Sequence, residues 1–230
     1  MNQPELKTWR KAERERLIAA REALGAERLG QYRLRIDRHL ERAFPGLAGA
    51  RLAICWPIRH EYDARHLART LRERGALTAL PVVVAPRTPL VFREWHPGTR
   101  LATGPLGIPY PADSPEVSPS AVLLPMNGWD DKGYRLGYGG GFFDRTLEKI
   151  LPRPVTIGVA YELARIETIR PQHWDIPMDW VVTERGVYRR DAHGLAFLGE
   201  PVPGTPSALS SPVCYAGELA PGYFGEDEKR

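Results

Sequence analysis

The chain has 230 residues, with 32 Lys and Arg against 28 Asp and Glu, a net charge of +4 and 43% hydrophobic residues. That length suits one compact domain or one domain with an appendage, and 22 Gly with 22 Pro are too few for a collagen-like or low-complexity chain. No apolar run approaches the roughly 18 residues of a membrane span, the opening MNQPELKTWRKAERER holds no apolar leader, and Cys55 and Cys214 make neither a disulfide framework nor a four-thiolate zinc site, so a cytoplasmic location is expected.

Two helices open the chain, over 5–24 and 26–44, built from good helix formers and punctuated by Gly25 and Pro45. Residues 1–50 carry 11 Lys or Arg against 7 Asp or Glu, which is the whole positive excess. Such a segment can dock nucleic acid or a small polyanion such as a nucleotide, or it is a solvated helix surface laced with i,i+4 ion pairs. The period then changes. Short apolar runs rich in Val and Ile at 51–56, 80–85, 120–124, 155–160 and 179–183 have strand length, with helix-like stretches at 62–74 and 142–151 between them. Strands apolar on both faces, alternating with helices, predict an α/β layer fold with helices flanking a mostly parallel sheet. Cys55 reads as inert core in its strand, and Trp95-His96 before Pro97-Gly98 as a turn. Residues 199–230 are loaded with Pro, Gly and Ser and show neither period. The expected organisation is a domain over 1–198 and a tail over 199–230, packed on the surface through Tyr215, Tyr223 and Phe224 or disordered.

The most informative stretch is 125–148, PMNGWDDKGYRLGYGGGFFDRTLE. It follows an apolar strand, contains Gly133, Gly137, Gly139, Gly140 and Gly141, and runs into a helix starting near Phe142. Glycines at a strand-to-helix junction let successive backbone N–H groups converge on an anion at the positive end of the helix dipole. Arg135 can add a bidentate contact to a phosphate, and Asp144 in the first helical turn can reach a metal ion that accompanies phosphates. Other motifs fail. A dinucleotide fingerprint from Gly137 meets Phe142 where its third glycine belongs, no Gly-Lys-Ser/Thr exists for a P-loop, and His60-Glu61 has Ala64 where a zincin needs histidine.

The segment GYRLGYGGGFFDRTL resembles the signature of the 5-formyltetrahydrofolate cyclo-ligase family, also called methenyltetrahydrofolate synthetases. The resemblance extends over roughly 7–188, through PIRHEYDARHL, LPVVV, FREWHPGTRLATGPLGIP and IGVAYELARIETIRPQHWDIPMDWVVTERGVY in the family's order. It implies an enzyme that closes 5-formyltetrahydrofolate to 5,10-methenyltetrahydrofolate with ATP and Mg2+, releasing ADP and phosphate. By resemblance the ATP loop comprises Arg135, Leu136, Gly137, Tyr138, Gly139, Gly140, Gly141, Phe142 and Phe143, with Arg135 also catalytic. Tyr138 through Phe142 also border the folate, together with Trp56 and Glu61, while Asp144 and Asp179 match the metal carboxylates. Glu61 is otherwise a helix-start carboxylate, and Asp179 a strand-entry turn residue.

Lys7, Lys11, Arg14 and Arg21 fall on one stripe of the first helix, where the family places a basic residue four positions before an arginine to contact ATP phosphates. Arg14 aligns as that arginine, and the preceding site is split between Arg10 and Lys11; the stripe is otherwise a solvated one. Departures from the family pattern are Phe142 and Phe143 for Tyr-Tyr, Tyr110 in GIPYP, and Trp56 and Arg59 where shorter residues are common. The expected partners are ATP and 5-formyltetrahydrofolate, polyglutamylated forms included, handled by a monomer without membrane or nucleic acid. Two rivals stand beside this reading: a cyclo-ligase-like paralogue that binds nucleotide but acts on a different ligand, and a nucleic-acid-binding protein using the basic helices, which steep salt dependence would reveal.

Overall fold

The computed structural model describes residues 2–104 and 107–201; Cys214, Tyr215, Tyr223 and Phe224 of the expected tail lie outside the described residues. Asn2 caps the first helix, α1 (Gln3–Glu22), by accepting the Glu5 amide while the Glu5 carboxylate accepts the Asn2 amide. Gly25 separates it from α2 (Ala26–Ala43), which buries Ile36, His39 and Leu40. A 3-10 turn over Pro45–Gly49 leads into strand β1 (Arg51–Ala53), helix α3 (Arg65–Glu73) and strand β2 (Leu77–Val82). Three short strands follow, β3 (Val91–Glu94), β4 (Leu101–Thr103) and β5 (Pro109–Pro111). The chain then re-enters the core as β6 (Ala121–Pro125), turns through the hairpin β7 (Gly128–Trp129) and β8 (Arg135–Leu136), and forms helix α4 (Phe142–Lys149). It closes with β9 (Val155–Val159), β10 (Trp180–Thr183), β11 (Gly186–Arg190) and β12 (Leu195–Gly199).

Eight strands make the main sheet, in the order β12-β11-β10-β9-β6-β1-β2-β3. The central strands β10, β9, β6, β1 and β2 are mutually parallel, and β3, β11 and β12 join antiparallel at the edges. Period-two alternation sends neighbours to opposite faces. Leu52, Ile54, Leu123, Ile157 and Val182 pack with Leu40, Phe44, Leu67 and Leu71 of the helices on one face. Ala53, Val122, Leu124 and Val181 pack with Leu147 of α4, Met126 and Trp129 on the other. The two-sided burial explains why these strands are continuous apolar runs.

The topology positions the site. From β1 the chain steps to β2 on one side and later returns as β6 on the other, so the order reverses between β1 and β6. In an open α/β sheet the crevice beyond the carboxyl ends of strands at such a reversal is where ligands bind. The first helix lies against this end. Leu17 forms a small cluster with Leu136 and Ile169, which seats α1 beside the segment entering the glycine loop. No described helix is long and apolar enough to cross a membrane.

Candidate active site

A cleft of about 590 Å³ opens at this reversal point, within the range of small-molecule sites. Cys55 and Trp56 border it beyond β1, Val83 to Pro86 beyond β2, and Pro125 at the end of β6. Arg10 and Arg14 approach from α1, and residues 135–144 form the facing wall.

That wall is the glycine segment. Gly139 and Gly141 have φ of +91° and +64°, left-handed values that a residue with a Cβ rarely takes, and Gly141 caps α4 without a side-chain hydrogen bond. None of the described hydrogen bonds uses the backbone amides of residues 139–144 as donor. These amides sit at the positive end of α4 and are available to an anion. Arg14 adds charge: its Nε donates to the Gly137 carbonyl at 2.7 Å, and its guanidinium comes within 3.3 Å of where a Cβ on Gly139 would stand. Burial and the neighbouring Arg10 charge both push the Arg14 guanidinium below its ordinary value. An anion placed between the two would relieve both effects.

Arg10 lines the cleft, clamped by Asp175 at 2.6 Å and by the Ile169 and Arg170 carbonyls. Lys11 does not reach the cleft; it is exposed and pairs with Glu15 at 3.9 Å. Of these two basic residues, Arg10 borders the cleft and Lys11 does not. Arg135 is buried, and its Nη2 and Nη1 donate to Asp144 Oδ1 at 2.9 Å and the Ile176 carbonyl at 2.7 Å. Burial lowers its pKa and Asp144 opposes that shift. Asp144 Oδ1 also accepts the Ile176 amide at 3.1 Å, while no described hydrogen bond ends on Oδ2. Phe142 and Phe143 are half-buried on the cleft wall, and Leu136 borders it from the cluster with Leu17.

The opposite wall holds Glu61 and Trp56. Glu61 is 8% exposed. Its Oε1 accepts the Tyr138 hydroxyl at 2.9 Å and its Oε2 the Ile58 amide at 3.0 Å. Burial raises its pKa, opposed by the Ile58 amide, the Arg21 charge and the Tyr138 hydroxyl. It precedes α3 by a few residues and turns into the cleft, so it is no helix-start carboxylate. Trp56 is half-buried with the Arg65 guanidinium 4.4 Å from its ring centre and Trp95 edge-on at 6.1 Å. Trp95 is thus buried support, not merely part of a turn. Cys55, expected in the core, reaches the cleft wall, where burial pushes its thiol far up.

Asp179 departs from expectation. It stands just before β10, at the amino end of the sheet, where its Oδ2 accepts the Thr156 amide and hydroxyl, both at 2.8 Å. Asp144 lies beyond the carboxyl ends of the strands, so the two carboxylates stand at opposite ends of the sheet. Among the described residues there is no group of three or more His, Cys, Asp or Glu that could cage a metal. Residues not foreseen at the cleft are Trp174 and Asp175, brought in by the PQHWDIP segment; Tyr110, one of the departures from the family pattern, also borders it. Arg21, on the basic stripe for which a solvated surface is the alternative reading, is 4% exposed and bonded to Tyr138. A minor cavity behind Glu61 is lined by Arg21, Tyr161 and Asn127, whose amide is buried with no hydrogen-bond partner.

Residues 6–184 match the 5-formyltetrahydrofolate cyclo-ligase family. The chain is 33% identical over 135 residues to the 5-formyltetrahydrofolate cyclo-ligase of Escherichia coli K12, covering 56% of this chain and 74% of that protein. It is 31% identical over 150 residues to the enzyme of the same name from Mycolicibacterium smegmatis, covering 61% and 77%. In structure it is similar to Aquifex aeolicus 5,10-methenyltetrahydrofolate synthetase, with a TM-score of 0.70 and 26% identity over 82% of this chain and 97% of that one. The chain belongs to the 5-formyltetrahydrofolate cyclo-ligase family.

Proposed function

We propose that the chain, as a member of that family, is a ligase that uses ATP to close 5-formyltetrahydrofolate to 5,10-methenyltetrahydrofolate, with release of ADP and phosphate. The observation that carries this reading is one cleft in which a run of free amides faces a buried carboxylate, the two joined by the Tyr138 hydroxyl. A phosphate cradle alone would suit any nucleotide enzyme. A buried acceptor beside it supplies the place for a heterocycle rich in N–H donors, and a pterin is one.

The chemistry has two steps. The formyl oxygen attacks the γ-phosphorus, and the bond from that phosphorus to ADP breaks. N10 of the folate then attacks the activated carbon; the C–O bond breaks, phosphate departs with the electron pair, and N10 gives up its proton. The barrier is one of positioning and charge, because phosphoryl transfer leaves the protein little covalent work. In this proposal the amides of residues 139–144, with Arg10 and Arg14, hold the triphosphate. Arg135 offers the donors left after two of its five are given to Asp144 and Ile176. Phe142 and Phe143 exclude water from the transferring group. Glu61 accepts from the pterin, and Trp56, backed by Arg65 and Trp95, presents a ring for stacking.

A magnesium ion fits what is present. Mg2+ is ordinarily held by one or two carboxylates plus substrate phosphates rather than by a protein cage, and Asp144 has one oxygen committed and the other free of described donors. Bound there with the nucleotide, the ion would neutralise phosphate charge. The +4 net charge suits polyanionic ligands, polyglutamylated folates included. We further propose a cytoplasmic enzyme acting as a monomer, since one chain supplies every wall of the cleft, with 199–230 an appendage outside the catalytic unit.

The test is to mix pure protein with 5-formyltetrahydrofolate and MgATP and follow the near-ultraviolet absorbance of the methenyl product together with ADP. Growth of both at equal rates is expected. Folded protein that makes neither overturns the reading; ADP without methenyl product moves it to a paralogue with another acceptor.

A further inference from the structure

Glu61 is presented by a turn that is unfavourable on its own. Its amide donates to the Ile58 carbonyl at 3.0 Å, and the two residues between, Arg59 and His60, have φ of +48° and +60°. Two consecutive positive φ values are the pattern of a type I′ turn, which glycine, asparagine and aspartate dominate. Arginine and histidine gain nothing from that conformation themselves, and beside the local bond of the Ile58 amide to Glu61 Oε2 at 3.0 Å, contacts from elsewhere hold it. One comes from Arg59 itself, whose guanidinium makes two bonds to Glu22 at 2.8 and 2.9 Å, but both partners are largely exposed and contribute little. The other is Arg21. Its Nε donates to the Arg59 carbonyl at 2.8 Å, and its Nη2 donates to the Tyr138 hydroxyl at 3.3 Å, which in turn donates to Glu61. One buried guanidinium therefore touches both the turn that carries Glu61 and the glycine loop opposite.

We propose that Arg21 is the positioning residue for Glu61: it locks the Ile58–Glu61 turn to Tyr138 so that the pterin acceptor and the glycine loop are set as one unit. This rests on the folate reading of the site. Arg21 is also placed to keep Glu61 ionised. The groups facing Glu61 are Arg21 from α1, Tyr138 from the loop, Cys55 beyond β1, Tyr161 beyond β9, and the adjacent Tyr62. Burial pushes Tyr161 up to about 12 and likewise raises the Cys55, Tyr62 and Tyr138 acids well above their ordinary values, so these stay neutral through the working range. Arg21 is the cation among them that favours the carboxylate.

The sign follows. Burial raises the Glu61 pKa, so an interaction that needs its anion is present above that raised value and is lost as pH falls through it. Removing the Arg21 charge raises it further, and the loss must begin at a higher pH. The experiment titrates 5-formyltetrahydrofolate by direct binding across pH for wild type, Arg21→Lys, Arg21→Gln and Tyr138→Phe, with MgATP titrated in parallel. For Arg21→Gln, folate affinity at neutral pH should fall about tenfold or more, the acid loss should move to higher pH, and Arg21→Lys should restore most of both. MgATP affinity should change less than threefold. Folded Arg21→Gln with wild-type folate affinity and an unmoved acid limb overturns the proposal, as does an equal loss for both ligands. If Arg21→Gln does not fold, Tyr138→Phe decides, because Tyr138 is 42% exposed and losing its hydroxyl leaves the ring in place: an unmoved acid limb refutes, an upward shift supports. Wild type that binds folate but makes no product removes the reaction and leaves these titrations decisive; wild type that binds no folate overturns both.

Discussion

Asp144→Asn tests how the cleft wall is held together. Arg135 is 5% exposed in its side chain and Asp144 22%, with Asp144 Oδ1 accepting from both Arg135 Nη2 and the Ile176 amide. The asparagine amide oxygen can still accept both bonds, so the shape survives and only the charge is lost. A hydrogen bond with a charged group contributes about 1.5 to 3 kcal/mol against about 0.5 to 1.5 for a neutral one. The Ile176 bond thereby loses about 1 to 1.5 kcal/mol, and the buried Arg135 charge, now facing a neutral acceptor, adds a similar amount, about 2 to 3 kcal/mol in all. That lies at the lower edge of the roughly 3 to 5 kcal/mol for stripping a buried charge of its partner, a range Asp144→Ala should reach. At roughly 2 to 4 °C per kcal/mol for a chain of this size, Tm should drop about 4 to 12 °C for the asparagine variant. Urea unfolding gives the free energy, and nucleotide titrations with and without Mg2+ give the second readout, in which the magnesium enhancement should largely vanish. An asparagine variant within about 0.5 kcal/mol of wild type would refute the view that the Arg135 charge depends on Asp144. Lower stability with an intact magnesium enhancement would leave the pair structural and put the cation elsewhere.

Gly139→Val should weaken ATP binding roughly 10- to 100-fold with the fold retained, since a β-branched residue at φ +91° is strained by about 1 to 3 kcal/mol and its Cβ would crowd Arg14 at 3.3 Å; isothermal titration checks it, and wild-type affinity would make the loop a mere turn. Asp179→Asn should cost about 1 kcal/mol by weakening the two Thr156 bonds and leave the magnesium dependence of turnover unchanged, because it stands at the other end of the sheet. Asn127→Val should raise Tm by about 2 to 4 °C, since an amide with no hydrogen-bond partner is replaced by an apolar side chain. A lower Tm would mean that the amide is satisfied in solution.

The glycine segment was legible because its signal is local: the left-handed residues, the free amides and the helix start occupy consecutive positions, and their geometry follows from residue type. The parallel strands were legible for a related reason, since burial on both faces writes an unbroken apolar run. The edge strands β3, β11 and β12 carry no such mark. Their residues are only partly buried in β3 and exposed through much of β12, so an apolar search passes over them. Asp179 shows what residue type beside a strand leaves open. Aspartate before a strand and aspartate in the glycine helix look alike in sequence, yet parallel pairing puts one at the amino end of the sheet and the other beyond its carboxyl end.

The basic stripe of α1 shows the same limit from another side. Lys7, Lys11, Arg14 and Arg21 share a helical face by periodicity, but Lys11 is solvated, Arg14 leans on the Gly137 carbonyl and Arg21 is buried. What distinguishes them is the neighbour each meets, set by how Leu17 seats the helix against Leu136 and Ile169. The turn before Glu61 depends on that seating. Nothing in Ile58-Arg59-His60-Glu61 predicts two left-handed residues, because the donor that stabilises them lies 38 positions earlier in the chain. A site whose acceptor is local in sequence but whose geometry is imposed from another helix is specified only once the sheet has formed and α1 has docked. Loss of docking of the amino-terminal helix should therefore weaken folate recognition by Glu61 and the Arg10 and Arg14 contacts to the triphosphate together, whereas loss of Arg21 alone should spare the glycine cradle, encoded within one segment.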